Sequence, residues 1–293
     1  MSGDPKSEFR NPKETRSPKP EANRLRRAAI RLSAVGFRIS DLVLALCLLA
    51  FPVVAQPKSD LTPPPYSAAE GDARARKLLE RLLAEKPDQN ATNTAVLKIY
   101  DRDENERLVP ITIAVALRGT DWVNVYRVTG SGHPAGPTLT IVHAPGPLPN
   151  QYFLQQPGEL GTSETPHSPA QLMLPFAGSD FWVVDLGMDF LHWPQQRVLR
   201  TQMRKSQNCD VLESTNPNPV PGGYARVRSW IAINQPEEIV IVHAEAFDSQ
   251  GKRLKIFDPK TIRKVNGVWQ LEDVEIRNMQ KGTRTVIEFE LKS

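Results

Sequence analysis

The chain has 293 residues, with 37 Lys and Arg against 33 Asp and Glu, a net charge of +4 and a pI near 9.1. At 40% hydrophobic and 24% charged residues it can bury a sizeable core, which excludes wholesale disorder. Its two cysteines exclude a disulfide framework.

The charge is unevenly placed. Residues 1–40 carry ten basic and four acidic side chains, a balance of +6, whereas the chain from Gln56 onward carries 27 basic and 28 acidic ones. The basic surplus belongs to the leader, and the main body has no electrostatic basis for binding nucleic acid.

In chain order, residues 1–41 read as a basic, disordered leader. Leu42–Ala55 is a 14-residue run without a charge, shorter than the roughly 20 apolar residues a bilayer-spanning helix needs. A basic flank precedes it, Pro52 breaks it, and small residues at Val53 and Ala55 suit cleavage near Ala55–Gln56. The run is expected to be the apolar core of a signal peptide, with an uncleaved membrane anchor as the alternative. A lipoprotein signal fits poorly, because Leu46 precedes Cys47. A twin-arginine signal also fits poorly, because Arg31, Arg38 and Asp41 separate Arg26–Arg27 from the apolar core.

Residues 56–66 form a proline-rich linker. Leu78, Leu79, Leu82 and Leu83 then recur at helical spacing, predicting a helix over 67–86 that Pro87 ends. After Asn90 the hydrophobic period changes from 3.6 to 2. Strands are predicted at 94–100, 109–118, 122–128, 138–143, 151–156, 197–205, 209–214, 224–234, 239–247, 253–257, 269–278 and 283–291. Glycine-bearing turns such as Asn266–Gly267 and Lys281–Gly282 join them. Eleven or twelve short strands joined by hairpins predict one strongly curved antiparallel sheet. With no repeat and no second composition, a single domain is expected over 67–293.

One segment, 175–194, breaks the alternation. Ser179 and Asp180 are good N-caps, and Trp182, Leu186, Phe190 and Trp193 share one helical face. A short helix over about 180–191, laid across the sheet, is expected.

Chemistry-bearing motifs are sparse. His133, His143, His167, His192 and His243 show no metal-binding spacing, and no nucleophile elbow, phosphate loop or dinucleotide fingerprint occurs. No cofactor or metal is therefore implied. Asp185 and Asp189 would share a helix side as a conceivable acid–base pair, but such acids are ordinarily solvated. Cys209 is expected to be a buried, inert thiol.

What remains is apolar surface. Trp122, Asn124, Tyr126 and Val128 share one strand face, and Ile111, Ile113, Val115 and Leu117 another. A curved sheet with a helix across it must pack its concave face solid or enclose something greasy. Candidate lining residues are Ile113, Val115, Trp122, Tyr126, Phe153 and Trp230 from the sheet, and Phe181, Trp182, Leu186, Phe190 and Trp193 from the cap.

Several segments resemble the LolA-like outer-membrane lipoprotein-sorting proteins. They are Phe176–Phe181 followed by Asp185–Leu186 and Trp193–Pro194, Cys209–Glu213, Arg226–Ile231, Ala246–Lys255, Lys264–Trp269 and Arg277–Thr285. The similarity covers about 70–293 and is best from 175 onward. It implies a half-open β-barrel closed by an N-terminal and a mid-domain helix, and no catalysis. The implied ligand is the acyl chains of lipoproteins, or a related lipid, held in an apolar cavity. The implied setting is the periplasm, with an inner-membrane release complex and an outer-membrane acceptor as partners. An alternative on the same fold is a lipoprotein-sensing regulatory module anchored in the inner membrane. No residue here matches the gating arginine of such carriers.

Overall fold

The computed structural model describes residues 64–130, 136–157, 167–168, 170–235, 238–265 and 268–290. The leader, the apolar run 42–55, most of the linker and the Asn266–Gly267 turn lie outside the described residues. Among the described residues, no helix is long and apolar enough to cross a membrane.

Helix α1 spans Ala68–Ala84 and begins where Ser67 Oγ accepts the Glu70 amide at 3.3 Å. Twelve strands follow, all antiparallel: β1 Ala91–Tyr100, β2 Glu106–Arg118, β3 Asp121–Val128, β4 Thr138–His143, β5 Gln151–Gln155, β6 Gln195–Arg204, β7 Gln207–Thr215, β8 Arg226–Gln235, β9 Glu238–Phe247, β10 Arg253–Val265, β11 Val268–Asn278 and β12 Thr283–Phe289. Each lies within a few residues of a predicted strand, except that β10 runs eight residues further.

The sheet order is β5-β4-β3-β2-β1-β12-β11-β10-β9-β8-β7-β6. Sequence neighbours pair throughout, with β1 and β12 meeting in the middle, so β5 and β6 are the two edges. The described residues 170–194 of the chain joining β5 to β6 pack against the inner face. Register shifts interrupt the pairings of β6–β7, β8–β9, β9–β10 and β10–β11, and such bulges add local bend and twist.

The inner face is set by the register. Ile113 pairs with Tyr126, Tyr126 with Leu139, and Leu139 with Leu154, and all four are buried in one core that also takes in α1 and the crossing segment. Helix α1 contributes Ala75, Leu78 and Leu82, at i, i+3 and i+7, to that core. Its first half is pinned to the edge: Arg74 pairs with Asp210 at 3.0 Å, Asp72 with Arg197 at 2.8 Å, and Gly71 passes close against the Val198 carbonyl.

The predicted helix over 180–191 is corrected. Only Val183–Gly187 is α-helical (α2), Met188 adopts a left-handed conformation at φ 49°, and Asp189–His192 is a single 3-10 turn. Ser179 and Asp180 do not cap α2. Asp185 does, accepting the Trp182 amide at 2.8 Å. Asp180 instead accepts the hydroxyls of Thr283, at 2.7 Å, and Thr285, at 3.1 Å, fastening the crossing segment to β12.

Candidate functional site

Between α2 and the strands β8–β11 lies a hollow that is partly open to solvent. Phe190 and Met188 roof it, and Val227, Ile241, Ala244, Ala246, Phe257 and Ile276 form its sheet wall. Its polar lining is Asp185, Tyr224 and Lys255.

Lys255 reaches this interior through a bulge. Plain alternation puts Arg253, Lys255 and Phe257 on one face. The register shift at Leu254 instead pairs Arg253 with Phe247 and Lys255 with Ala246, turning Lys255 inward while Arg253 stays exposed. Its ammonium donates to Asp185 Oδ2 at 3.0 Å and to the Asp180 carbonyl at 2.7 Å, and sits 3.5 Å from the Trp182 ring centre. The Tyr224 hydroxyl donates to Asp185 Oδ1 at 2.8 Å, and its ring stacks on Trp182 at 4.9 Å. Burial pulls the Lys255 ammonium down to about 8, against the pull of Asp185. Burial, and the carboxylate of Asp185 after it, drive the Tyr224 phenol well above its ordinary value. The result is a compact ion pair with its hydrogen-bonding capacity largely used, at the end of an otherwise apolar space.

A second hollow lies on the other side of Met188, which lines both. Leu82, Leu83 and Glu85 at the end of α1, Trp122 of β3 and His143 of β4 surround it, with Asn150, Gly187, Leu191 and His192. Trp122 and His143 stack with ring centres 4.8 Å apart.

The sequence-predicted residues divide accordingly. Phe190 lines the first hollow and Trp122 the second. Ile113, Tyr126, Phe181 and Trp193 are buried in the main core; Trp182 and Leu186 pack against it. Val115 is buried on the same sheet face as Trp122. Tyr126, its phenol pushed up to about 12 by burial, donates to the Leu186 carbonyl at 3.4 Å and ties α2 to β3.

Two expected residues face the other way. Phe153 pairs with Thr140, on the outer face, because its neighbours Tyr152 and Leu154 are the inward ones. Trp230 pairs with Val211 and His243 and belongs to a separate outer-face cluster with Cys209, Val211, Ala232, Val240 and Val242. In both strands the outward aromatic has polar residues on its own face, Gln151 and Gln155 beside Phe153, and Arg226 and Arg228 beside Trp230, so alternation did point both outward. Of the first hollow's lining only Phe190 was expected; the aliphatic wall of β8–β11 with Phe257, and Tyr224, Lys255, Asp185 and Met188, went unrecognised as ligand contacts. Tyr224, whose aromatic ring precedes β8, carried a visible signal; a lysine among alternating charges carried none.

The conceivable acid pair does not form. Asp185 is buried against Lys255 and Tyr224. Asp189 accepts Trp193 Nε1–H at 3.1 Å and the Tyr152 hydroxyl at 3.3 Å, and burial raises its carboxyl. Both are buried where solvated surface acids were expected, and the turn at Met188 separates them. Among the described residues no group of three or more His, Cys, Asp or Glu could hold a metal. Cys209 is fully buried, and burial pushes its thiol up to about 11.

A family model described only as "Uncharacterized protein" matches residues 164–291. No curated protein matches the chain. Solved structures do. A putative outer membrane lipoprotein-sorting protein domain from Vibrio parahaemolyticus superposes with a TM-score of 0.61 at 16% identity, over 77% of this chain and 92% of that one. A DUF1329 family protein from Desulfovibrio piger gives 0.56 at 15% identity, over 74% and 88%. A LolA superfamily protein from Nitrosomonas europaea gives 0.53 at 15% identity, over 74% and 91%. The sheet of twelve strands, left open and crossed by helices, is the LolA-like fold that the sequence resemblance implied.

Proposed function

We propose that this protein is a carrier that binds the acyl chains of lipoproteins, or a related lipid, on the inner face of its sheet and moves them toward the outer membrane. The observation that carries this reading is the first hollow: a space walled by aliphatic and aromatic side chains on the inner face, under a segment that crosses from one sheet edge to the other. Each buried CH₂ contributes roughly 0.8 kcal/mol, so an acyl chain is held strongly there without covalent chemistry. The likeness in fold to a lipoprotein-sorting domain supports the same reading.

The reading assigns no catalytic role to any residue. Asp185, Asp189 and Lys255 are spent on one another, on Tyr224 and on Trp193. It places the mature domain in the periplasm after cleavage near Ala55–Gln56, with an inner-membrane release complex and an outer-membrane acceptor as partners.

Native mass spectrometry of protein purified without detergent tests the proposal. A mass increment matching an acylated species is expected, and it should be lost in Ala244→Leu, which fills the hollow. A uniformly unliganded protein that also fails to take up a C16 lipid would overturn the reading. N-terminal sequencing of the mature protein checks the compartment: a start at Gln56 supports a free carrier, and an intact leader supports the anchored module.

A further inference from the structure

The second hollow differs from the first in chemistry. Four buried polar atoms on its lining residues have no hydrogen-bond partner: Trp122 Nε1, His143 Nε2, Asn150 Oδ1 and His192 Nδ1. Trp122, His143 and Asn150 are themselves 7%, 6% and 8% exposed, so bulk water does not serve them. An orphaned buried polar group costs about 1–3 kcal/mol, and four around one space point to an occupant that satisfies them.

Their roles are partly fixed. The indole Nε1–H is a donor only. His192 is engaged by the Pro147 and Leu148 carbonyls, so one ring nitrogen carries the proton toward the backbone and Nδ1 is left as an acceptor. His143 adapts through its tautomer. Burial, and His192 after it, bring the His143 ring down to about 4, and burial lowers His192 as well, so both rings are neutral at pH 7. The ionisable groups facing the space are these two rings, Glu85 from α1 and, behind His192, Asp189. No Lys or Arg lines it. A fixed donor at Trp122, acceptors at His192 Nδ1 and Asn150 Oδ1, and the His143 ring beside Asn150, with no cation, suit an uncharged group that both gives and receives hydrogen bonds and disfavour an anion.

Met188 lines both this hollow and the apolar one, so the two lie on either side of its side chain. We infer that the Trp122–His143–His192 hollow is the head-group site of the carrier, taking an uncharged hydroxyl- or amide-bearing head whose acyl chain lies in the hollow beyond Met188. This inference rests on the acyl-carrier reading and specifies which heads that carrier accepts. The shared chemistry has two sources: a neutral glycerolipid, or the acylated amino terminus of a polypeptide.

The test measures binding of three probes with the same C16 chain: monopalmitoylglycerol, palmitoyl-glycinamide and palmitate. At least one neutral probe should bind ten-fold or more tighter than palmitate, and which one leads identifies the source of the head. In Trp122→Phe, which keeps an aromatic ring but loses the donor, that ratio should fall at least five-fold. If the variant does not fold, the wild-type protein still decides: the Trp122 indole N–H resonance should shift with the neutral probe. Equal binding of all three probes, an unchanged ratio in the variant, or an unmoved indole resonance would overturn this inference and leave the acyl carrier standing. Binding of none would overturn both.

Discussion

Replacing Lys255 by Met tests the energetics of the site most sharply. The ammonium is 2% exposed and its salt-bridge partner Asp185 is 8% exposed, so neither is solvated. Removing only the lysine leaves Asp185 buried with the Tyr224 hydroxyl and the Trp182 amide as its remaining donors. Breaking a buried pair on one side costs about 3–5 kcal/mol, and Lys255→Met should lose about that much in urea unfolding at pH 7. Adding Asp185→Leu should recover most of it, because the replaced pair becomes apolar contact. The pH dependence gives a second, independent reading. The folded chain releases the Lys255 proton near pH 8, whereas the unfolded chain holds it to about 10.5. Between those values the unfolded state binds more protons, so this group makes wild-type stability rise with pH. The penalty is fully present below pH 8, and at about 1.4 kcal/mol per unit it shrinks by roughly 2 kcal/mol between pH 7 and pH 9.5. The Met variant lacks that rise, and the buried tyrosines cancel in the comparison. Parallel stability curves for the two proteins across that range, or a loss below about 1 kcal/mol at pH 7, would refute the argument.

Three further outcomes follow from packing. A methyl added at Gly71 would sit 2.6 Å from the Val198 carbonyl oxygen, so Gly71→Ala must push α1 off β6. It should lose about 1–3 kcal/mol in chemical denaturation, outweighing the roughly 1 kcal/mol that alanine gains in helix propensity. Gly187→Ala would place its Cβ 2.3 Å from the Tyr152 hydroxyl, and Tyr152 is fully buried, so a similar loss is expected by the same measurement. Cys209 should ignore a thiol reagent at pH 8 in the native protein and react fully in denaturant, as followed by absorbance of the released chromophore.

The sequence carried the sheet almost completely. Period-2 alternation and turn chemistry mark all twelve strands, because half-buried antiparallel strands must alternate. The β6–β7 hairpin shows how tertiary structure can override turn preference: Lys205 and Ser206 both take φ > 0 without a glycine. What alternation could not supply is parity across a bulge. Lys255 reads as one more charged residue beside Arg253 until the shift at Leu254 reverses its face. Phe153 and Trp230 fail for a different reason: each is an aromatic on the polar-flanked face of its strand, beside Gln151 and Gln155 or Arg226 and Arg228, and it faces outward with them. The crossing segment was recognised from its aromatic period, but its helix was overextended. Gly187 followed by left-handed Met188 stops α2 after five residues, and that stop is what divides the hollow in two.

The topology sets where the crossing segment lies. Because β1 and β12 pair in the middle, the two free edges β5 and β6 are sequence neighbours, and the described residues 170–194 between them lie over the inner face. A crossing segment with one short helix cannot fill a curved face as evenly as a second sheet would. It touches down at particular points: Asp180 on β12, Asp185 on Lys255, the Leu186 carbonyl on Tyr126, and the Gly187 carbonyl on Asn150 at 3.0 Å. Between these polar points Phe176, Phe181, Val183, Val184, Phe190, Leu191 and Trp193 are buried in the main core, so apolar packing holds the segment as firmly as its hydrogen bonds do. Of the polar ties the buried Lys255–Asp185 pair is the costliest to break on one side, at about 3–5 kcal/mol, because the carboxylate left behind stays out of water.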